Sequence, residues 1–226
     1  MTTETRKIVI PSQLLGDIEH KKAGKGAFVE NGKIYSELLG VLNDNSDYIS
    51  VTPLKGRYDP VERDLVIGVV EEAMSSSWLV DINAAYPALL HVNEVPWDVE
   101  FGETDRYLNQ GDSIMAKVLQ VDQEKKLQIT LKDYNLFKIK GGYILDVEPT
   151  KVPRIIGKKG SMISLLKNYT KCRIFVGQNG RVWIDGNDEG VQKVIDTIKV
   201  IENEALSYGL TDRIEKLLKK DAKDVQ

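Results

Sequence analysis

Residues 152 to 163 read Val-Pro-Arg-Ile-Ile-Gly-Lys-Lys-Gly-Ser-Met-Ile and hold the densest chemistry in the chain. Gly157 and Gly160 bracket Lys158 and Lys159, and Arg154 lies one turn earlier. Glycine allows a positive-φ turn and lets a ligand approach without meeting a Cβ, while the N–H groups at the start of a following helix favour an anion. Two lysines add charge. The chemistry is that of holding a phosphate. Ile155 and Ile156 are expected to pack one face of the short helix before the corner, beside an apolar groove able to accept bases. The spacing alone says little, since 18 glycines give about 1.4 such pairs by chance. A second pair, Gly177 and Gly180, encloses uncharged Gln178 and Asn179 between two β runs and reads as a hairpin turn. A Walker-type nucleotide loop needs four residues between its glycines and a Lys-Ser/Thr pair, and neither is present.

Other chemistry has little to stand on. The single cysteine, Cys172, excludes an intrachain disulfide and a thiolate zinc site, and His20 and His91 lie too far apart in sequence to suggest a metal centre. Asp98, Glu100, Glu103 and Asp105 could be imagined around magnesium, but their segment reads as a solvated loop. No Ser/His/Asp or Cys/His set and no well-placed carboxylate pair is recognisable. The expectation is therefore no catalytic residue, no metal and no cofactor.

The 226 residues, 42% hydrophobic and 29% charged, have the composition of a folded globular chain and no run long enough for a membrane span. The start, MTTETRKIVIPS, lacks the apolar core of a secretory signal, so a cytoplasmic protein is expected. The net charge of −3 conceals a division. Residues 1–134 carry 14 Lys+Arg against 22 Asp+Glu, net −8, whereas residues 135–226 carry 17 against 12, net +5. From Pro149 to Ile184 there are eight basic residues and no acidic one, the focused potential that a polyanion site requires.

Three kinds of segment must position these residues. Residues 1–56 alternate short apolar stretches with turn signals; Asn31-Gly32 predicts a type I′ hairpin in a small β-rich domain expected to lean on the next domain or on another subunit. Residues 57–134 contain five strand patterns: VERDLVIGVVEE, SWLVDI, ALLHV, SIMAKVLQV and KLQITL, the last two joined by DQEKK. Trp78, Val80 and Ile82 alternate with Leu79 and Asp81, so Trp78 is expected in the core of a five-stranded OB-fold barrel. Between the third and fourth strands, WDVEFGETDRYLNQG reads as a long exposed loop in which Trp97 could anchor an interface. Residues 135–208 change to a βααββα order, with Trp183 in core or facing the helices, and residues 209–226 to a basic helix capped by Thr211. The expected fold is multidomain, mainly β and then α+β.

VPRIIGKKGSMI is very similar to the helix-loop-helix signature of KH domains, and the order around it matches the first KH type. The barrel, through Gly68-Val69-Val70, SWLVDI, ALLHVNEV and GDSIMAKV, resembles the RNA-binding domain named after ribosomal protein S-one. A β-rich piece, that barrel and then KH is similar to the RNA-binding cap subunits of the archaeal exosome, over about Lys7 to Ala205. The resemblance implies a non-catalytic subunit binding single-stranded RNA, three copies of which sit on a hexameric ring of RNase PH-like subunits. It implies RNA contacts by Arg154, Ile155, Ile156, Gly157, Lys158, Lys159 and Gly160, with Arg106, Lys117 and His91 as weaker candidates on the barrel. Where the family has two phenylalanines on the barrel's RNA face, this sequence has Ser76 and Leu79, and residues 60–134 carry 6 basic against 14 acidic side chains. Two other readings stand: a scaffold that stabilises the ring with incidental RNA binding, or a free-standing ribosome- or mRNA-associated binder.

Overall fold

The computed structural model describes residues 7–122, 126–205, 207 and 209–221. The chain divides at Gly56 and Arg57 into two compact units. In the first, seven short strands, β1 (Ile8–Val9), β2 (Leu14–Asp17), β3 (Lys22–Ala23), β4 (Ala27–Glu30), β5 (Lys33–Ser36), β6 (Gly40–Asp44) and β7 (Tyr48–Pro53), make two small sheets ordered β1-β6-β7-β3 and β2-β5-β4. Asn31 and Gly32 turn β4 into β5 with φ of 49° and 77°, the two positive values that a type I′ turn demands. Val9, Ile34, Ile49 and Val51 are the buried apolar residues of this thin unit.

The second unit holds the barrel and the KH fold together. β8 (Leu65–Met74), β9 (Ser77–Asp81), β10 (Ala88–His91), β11 (Ser113–Val121) and β12 (Leu127–Thr130) run in the order β12-β10-β9-β8-β11 and close through pairing of β12 with β11. Closure leaves the five strands no long open edge. Trp78 and Val80 are fully buried while Leu79 between them faces out, the period-2 outcome expected of a half-buried strand. The middle of the DQEKK turn, residues 123–125, lies outside the described residues. A short strand, β13 (Phe137–Lys138), adds to β11.

The segment expected as an exposed loop is instead a wall of the barrel. Leu108 is fully buried and its carbonyl accepts the Trp78 Nε1–H at 3.0 Å. Thr104 Oγ1 donates to the Met74 carbonyl at 2.6 Å, and Trp97 stacks on Tyr107 with centroids 5.6 Å apart. Trp97 and Val99 pack on the core while Asp98, Glu100 and Asp105 point outward, so the charge describes one side of this segment only. Trp97 is thereby used inside the chain rather than held out as an anchor.

Three antiparallel strands follow, β14 (Tyr143–Asp146), β15 (Arg173–Val176) and β16 (Arg181–Asp185), ordered β14-β16-β15. Against them pack α1 (Val152–Ile156), α2 (Ser161–Thr170) and α3 (Asp188–Asn203), giving the βααββα order. α3 begins at Asn187, whose side chain accepts the Gly190 amide at 2.9 Å. α4 (Leu210–Asp221) buries Ile214 and Leu218 against this core. Thr211 does not cap it: the Arg213 amide already bonds the Gly209 carbonyl at 3.2 Å, which puts Thr211 inside the first turn.

Barrel and KH sheet are joined by the turn between β15 and β16. Asn179 is fully buried; its Nδ2 donates to the carbonyls of Ile67 (2.7 Å) and Ile82 (2.9 Å), and its Oδ1 accepts the Ile67 amide at 3.3 Å. Arg181 Nη1 donates to the Asp81 carbonyl at 2.8 Å while Nη2 pairs with the Asp81 carboxylate. Trp183 faces away from the helices and joins the barrel core, with Phe137 edge-on at 6.2 Å.

Candidate nucleic-acid interface

The basic corner is built by backbone geometry. α1 ends at Gly157 with φ 76° and ψ 169°, where a Cβ would lie 2.7 Å from the Met162 amide nitrogen. Lys159 (φ 53°, ψ 31°) and Gly160 (φ 77°, ψ 15°) are both left-handed, and α2 starts immediately after. Only glycine meets both demands at position 157, positive φ and close backbone approach. Lys158 and Lys159 are exposed and form no ion pair among the described residues. Their ammonium groups are displayed on a fixed turn with no described carboxylate paired to them.

The rest of the expected phosphate grip is rearranged. The amides of Gly157, Gly160 and Ser161 bond the carbonyls of Pro153, Gly157 and Lys158, so these three N–H groups are already committed within the corner. Charge from the lysines, rather than a free helix terminus, is what the corner offers an anion. Ile155 is fully buried in the KH core and cannot touch a base; it seats α1, while half-buried Ile156 remains beside the corner. Arg154 is half-buried, and its Nη2 is shut off from solvent without a hydrogen-bond partner.

The weaker barrel candidates do not assemble with the corner. Arg106 is held by Glu103 at 2.6 Å, and Lys117 by Asp133 at 2.5 Å. Hydrogen bonds from Lys117 and from the Tyr134 amide hold the Asp133 carboxyl below its ordinary pKa. His91 lies exposed at the end of β10, with Nδ1 accepting the Asn93 amide at 3.1 Å.

This arrangement has relatives. The KH domain family matches residues 142–190, and the family described as the exosome RNA binding protein RRP4 N-terminal domain matches residues 6–55. The Exosome complex component Rrp4 of Methanosarcina mazei is 50% identical over 216 residues, 96% of this chain and 83% of that protein. That of Picrophilus torridus is 43% identical over 217 residues, 96% of this chain and 94% of that protein. The chain belongs to the Rrp4 family of exosome complex components. A crystal structure described as a putative exosome complex RNA-binding protein superposes with a TM-score of 0.68 at 34% identity, covering 76% of this chain and all of the other.

Two features of this Rrp4-family chain escaped the sequence reading. The Gly177–Gly180 turn, set aside because it carries no charge, is the joint of the second unit; an asparagine between two glycines gives no sign of whether its amide faces water or protein. Phe101, 83% exposed, stands alone between Glu100 and Gly102. A single aromatic in an acidic stretch carries no periodicity, so its display could not be read. Asp17, Glu19 and His20 do come together in the first unit, but all three are exposed, the Asp17–His20 contact is a simple side-chain pair, and nothing further marks them as a metal site.

Proposed function

We propose that this chain is the non-catalytic RNA-capturing subunit of an exosome-like 3′-to-5′ RNA-degrading complex in the cytoplasm. The KH corner holds the sugar-phosphate chain of unpaired RNA through Lys158 and Lys159, with Gly157 and Gly160 shaping the turn and Arg154 and Ile156 flanking it. The first unit docks on a hexameric ring of RNase PH-like subunits, three copies of this chain to a ring, and the ring supplies phosphorolysis or hydrolysis. Capture and threading fall to this chain. The observation that carries the reading is the pair of exposed, unpaired lysines fixed between two positive-φ glycines. A docking role for the first unit is supported by Leu14, Tyr35 and Phe28, which stand side by side across β2, β5 and β4; Leu14 is 51% and Phe28 37% exposed. Apolar side chains in a row on a small sheet favour a protein contact.

The test is Lys158→Asp with Lys159→Asp in the full chain. Single-stranded RNA affinity should fall at least tenfold at low salt, and the log-log salt slope should shrink by about 1.4, about 0.7 for each phosphate lost. Ring association should be unchanged. Unchanged RNA affinity would remove the assignment and leave the scaffold reading, which the ion-paired cations of the acidic barrel favour.

A further inference from the structure

The barrel displays a phenylalanine, Phe101, to solvent on the segment that walls its rim. Phe101 is 83% exposed, second among the described large hydrophobic residues after Tyr134 at 87%. Its position is nevertheless fixed. The amide of Gly102 bonds the Ser75 carbonyl at 2.8 Å, the Glu103 amide bonds Glu100 at 3.1 Å, and Thr104, 3% exposed, is tied to Met74. These bonds clamp the Phe101 segment onto the hairpin between β8 and β9. The Val92 amide bonds the Ser76 carbonyl at 3.1 Å, and His91 pairs with Ser77, so the exposed histidine ends on the same rim. The hairpin to which this segment is tied is made of small residues, Ser75, Ser76 and Ser77, and at Gly102 even a Cβ would meet nothing within 4 Å. An exposed aromatic on a backbone tied at both sides is ready to stack with little further ordering of the chain.

The charge around it selects the manner of contact. Asp98, Glu100 and Asp105 point outward, and Arg106 is taken up by Glu103, so no free cation on this segment attracts a phosphate. A polyanion meeting this rim is repelled at its backbone but not at its bases, whose neutral faces stack on an aromatic ring whatever their identity. We propose that Phe101 is a base-stacking residue, so that unpaired RNA meets the barrel rim through its bases and the KH corner through its phosphates. This deepens the RNA-capture reading above and rests on it.

The experiment measures binding of the full chain to a fluorescent oligo(A) and to an abasic oligomer of the same length, over a range of salt. Phe101→Ala should weaken oligo(A) binding about tenfold, the effect of one stacked base, and leave the abasic oligomer unchanged. Phe101→Trp should restore oligo(A) binding, with quenching of its own fluorescence on saturation. The ratio of wild-type to Phe101→Ala affinity should not vary with salt, unlike that for the double aspartate variant at Lys158 and Lys159. Wild-type affinity of Phe101→Ala for oligo(A) would overturn the proposal, leaving Phe101 to a protein contact. So would equal loss on both oligomers. If the lysine variant also binds both oligomers normally, the capture reading fails with it; if only Phe101→Ala is silent, the stacking assignment fails alone.

Discussion

The barrel and the KH fold form one compact unit, yet residues 60–134 are net −8 and residues 135–226 net +5. The more telling difference is in what each does with its cations. On the barrel, Arg106, Lys117 and the β13 lysine Lys138 are each bound by a carboxylate of the same chain, Glu103, Asp133 and Asp112. At the KH corner, Lys158 and Lys159 have no such partner among the described residues. A cation is useful to a polyanion only if the protein has not already paired it, so counting lysines misjudges the barrel twice over. These three cations are spent, and under the stacking proposal the rim would meet RNA through an aromatic ring instead.

The largest effect should come from breaking the joint between these regions. Asn179→Ala strands the Ile67 amide and the Ile67 and Ile82 carbonyls in a dry junction, at a cost of about 3 kcal/mol or more. Urea unfolding of the variant should shift to lower midpoint and separate the barrel and KH transitions, which should coincide in the parent. A single unshifted transition would mean that Arg181 and Trp183 hold the junction without it.

A smaller effect tests the idea that pairing sets availability. Glu103→Gln with Asp133→Asn releases Arg106 and Lys117, and should raise single-stranded RNA affinity by up to about tenfold. The salt slope should steepen by as much as about 1.4 if both cations then reach phosphates. An unchanged slope would show that position, not neutralisation, keeps these two from RNA.

The smallest effect is in acid. Burial pushes the Asp112 carboxyl up, but hydrogen bonds from the Asn109 amide and from Lys138 outweigh it and bring it below its ordinary 3.8. A carboxyl lowered in the folded state contributes stability that is present above that value and lost as pH falls through the folded one. The midpoint of unfolding should therefore drop below about pH 4, and Asp112→Asn should lie lower at neutral pH with a flatter acid limb.

How much of this was legible follows from what each signal measures. Trp78, Val80 and Ile82 announce a strand because one face is dry and the other wet, and that period survives in the fold unaltered. Gly157 and Gly160 flanking two lysines announce a turn, and both glycines take the positive φ expected. Packing of Ile155 on one face of its short helix was legible and is found in the core; the RNA contact implied for it came from the resemblance alone. Asp133 lies 16 residues from Lys117 in sequence, a distance at which no local pattern reports pairing. The loop holding Trp97, Thr104 and Leu108 was misread because acidic residues alternate with inward ones over too irregular a backbone for either period. Asn179 was missed because hydrogen bonds made across about a hundred residues leave no trace in composition.

The buried asparagine sets more than stability. By removing any hinge between barrel and KH fold, it turns the span from the lysine pair to the Phe101 rim into a fixed caliper. An oligonucleotide shorter than that span gains from one jaw only, whereas the first length able to close the gap engages the second at high effective concentration. If both proposed contacts hold, such a protein would sense how much free strand a transcript offers before it senses any letter in it.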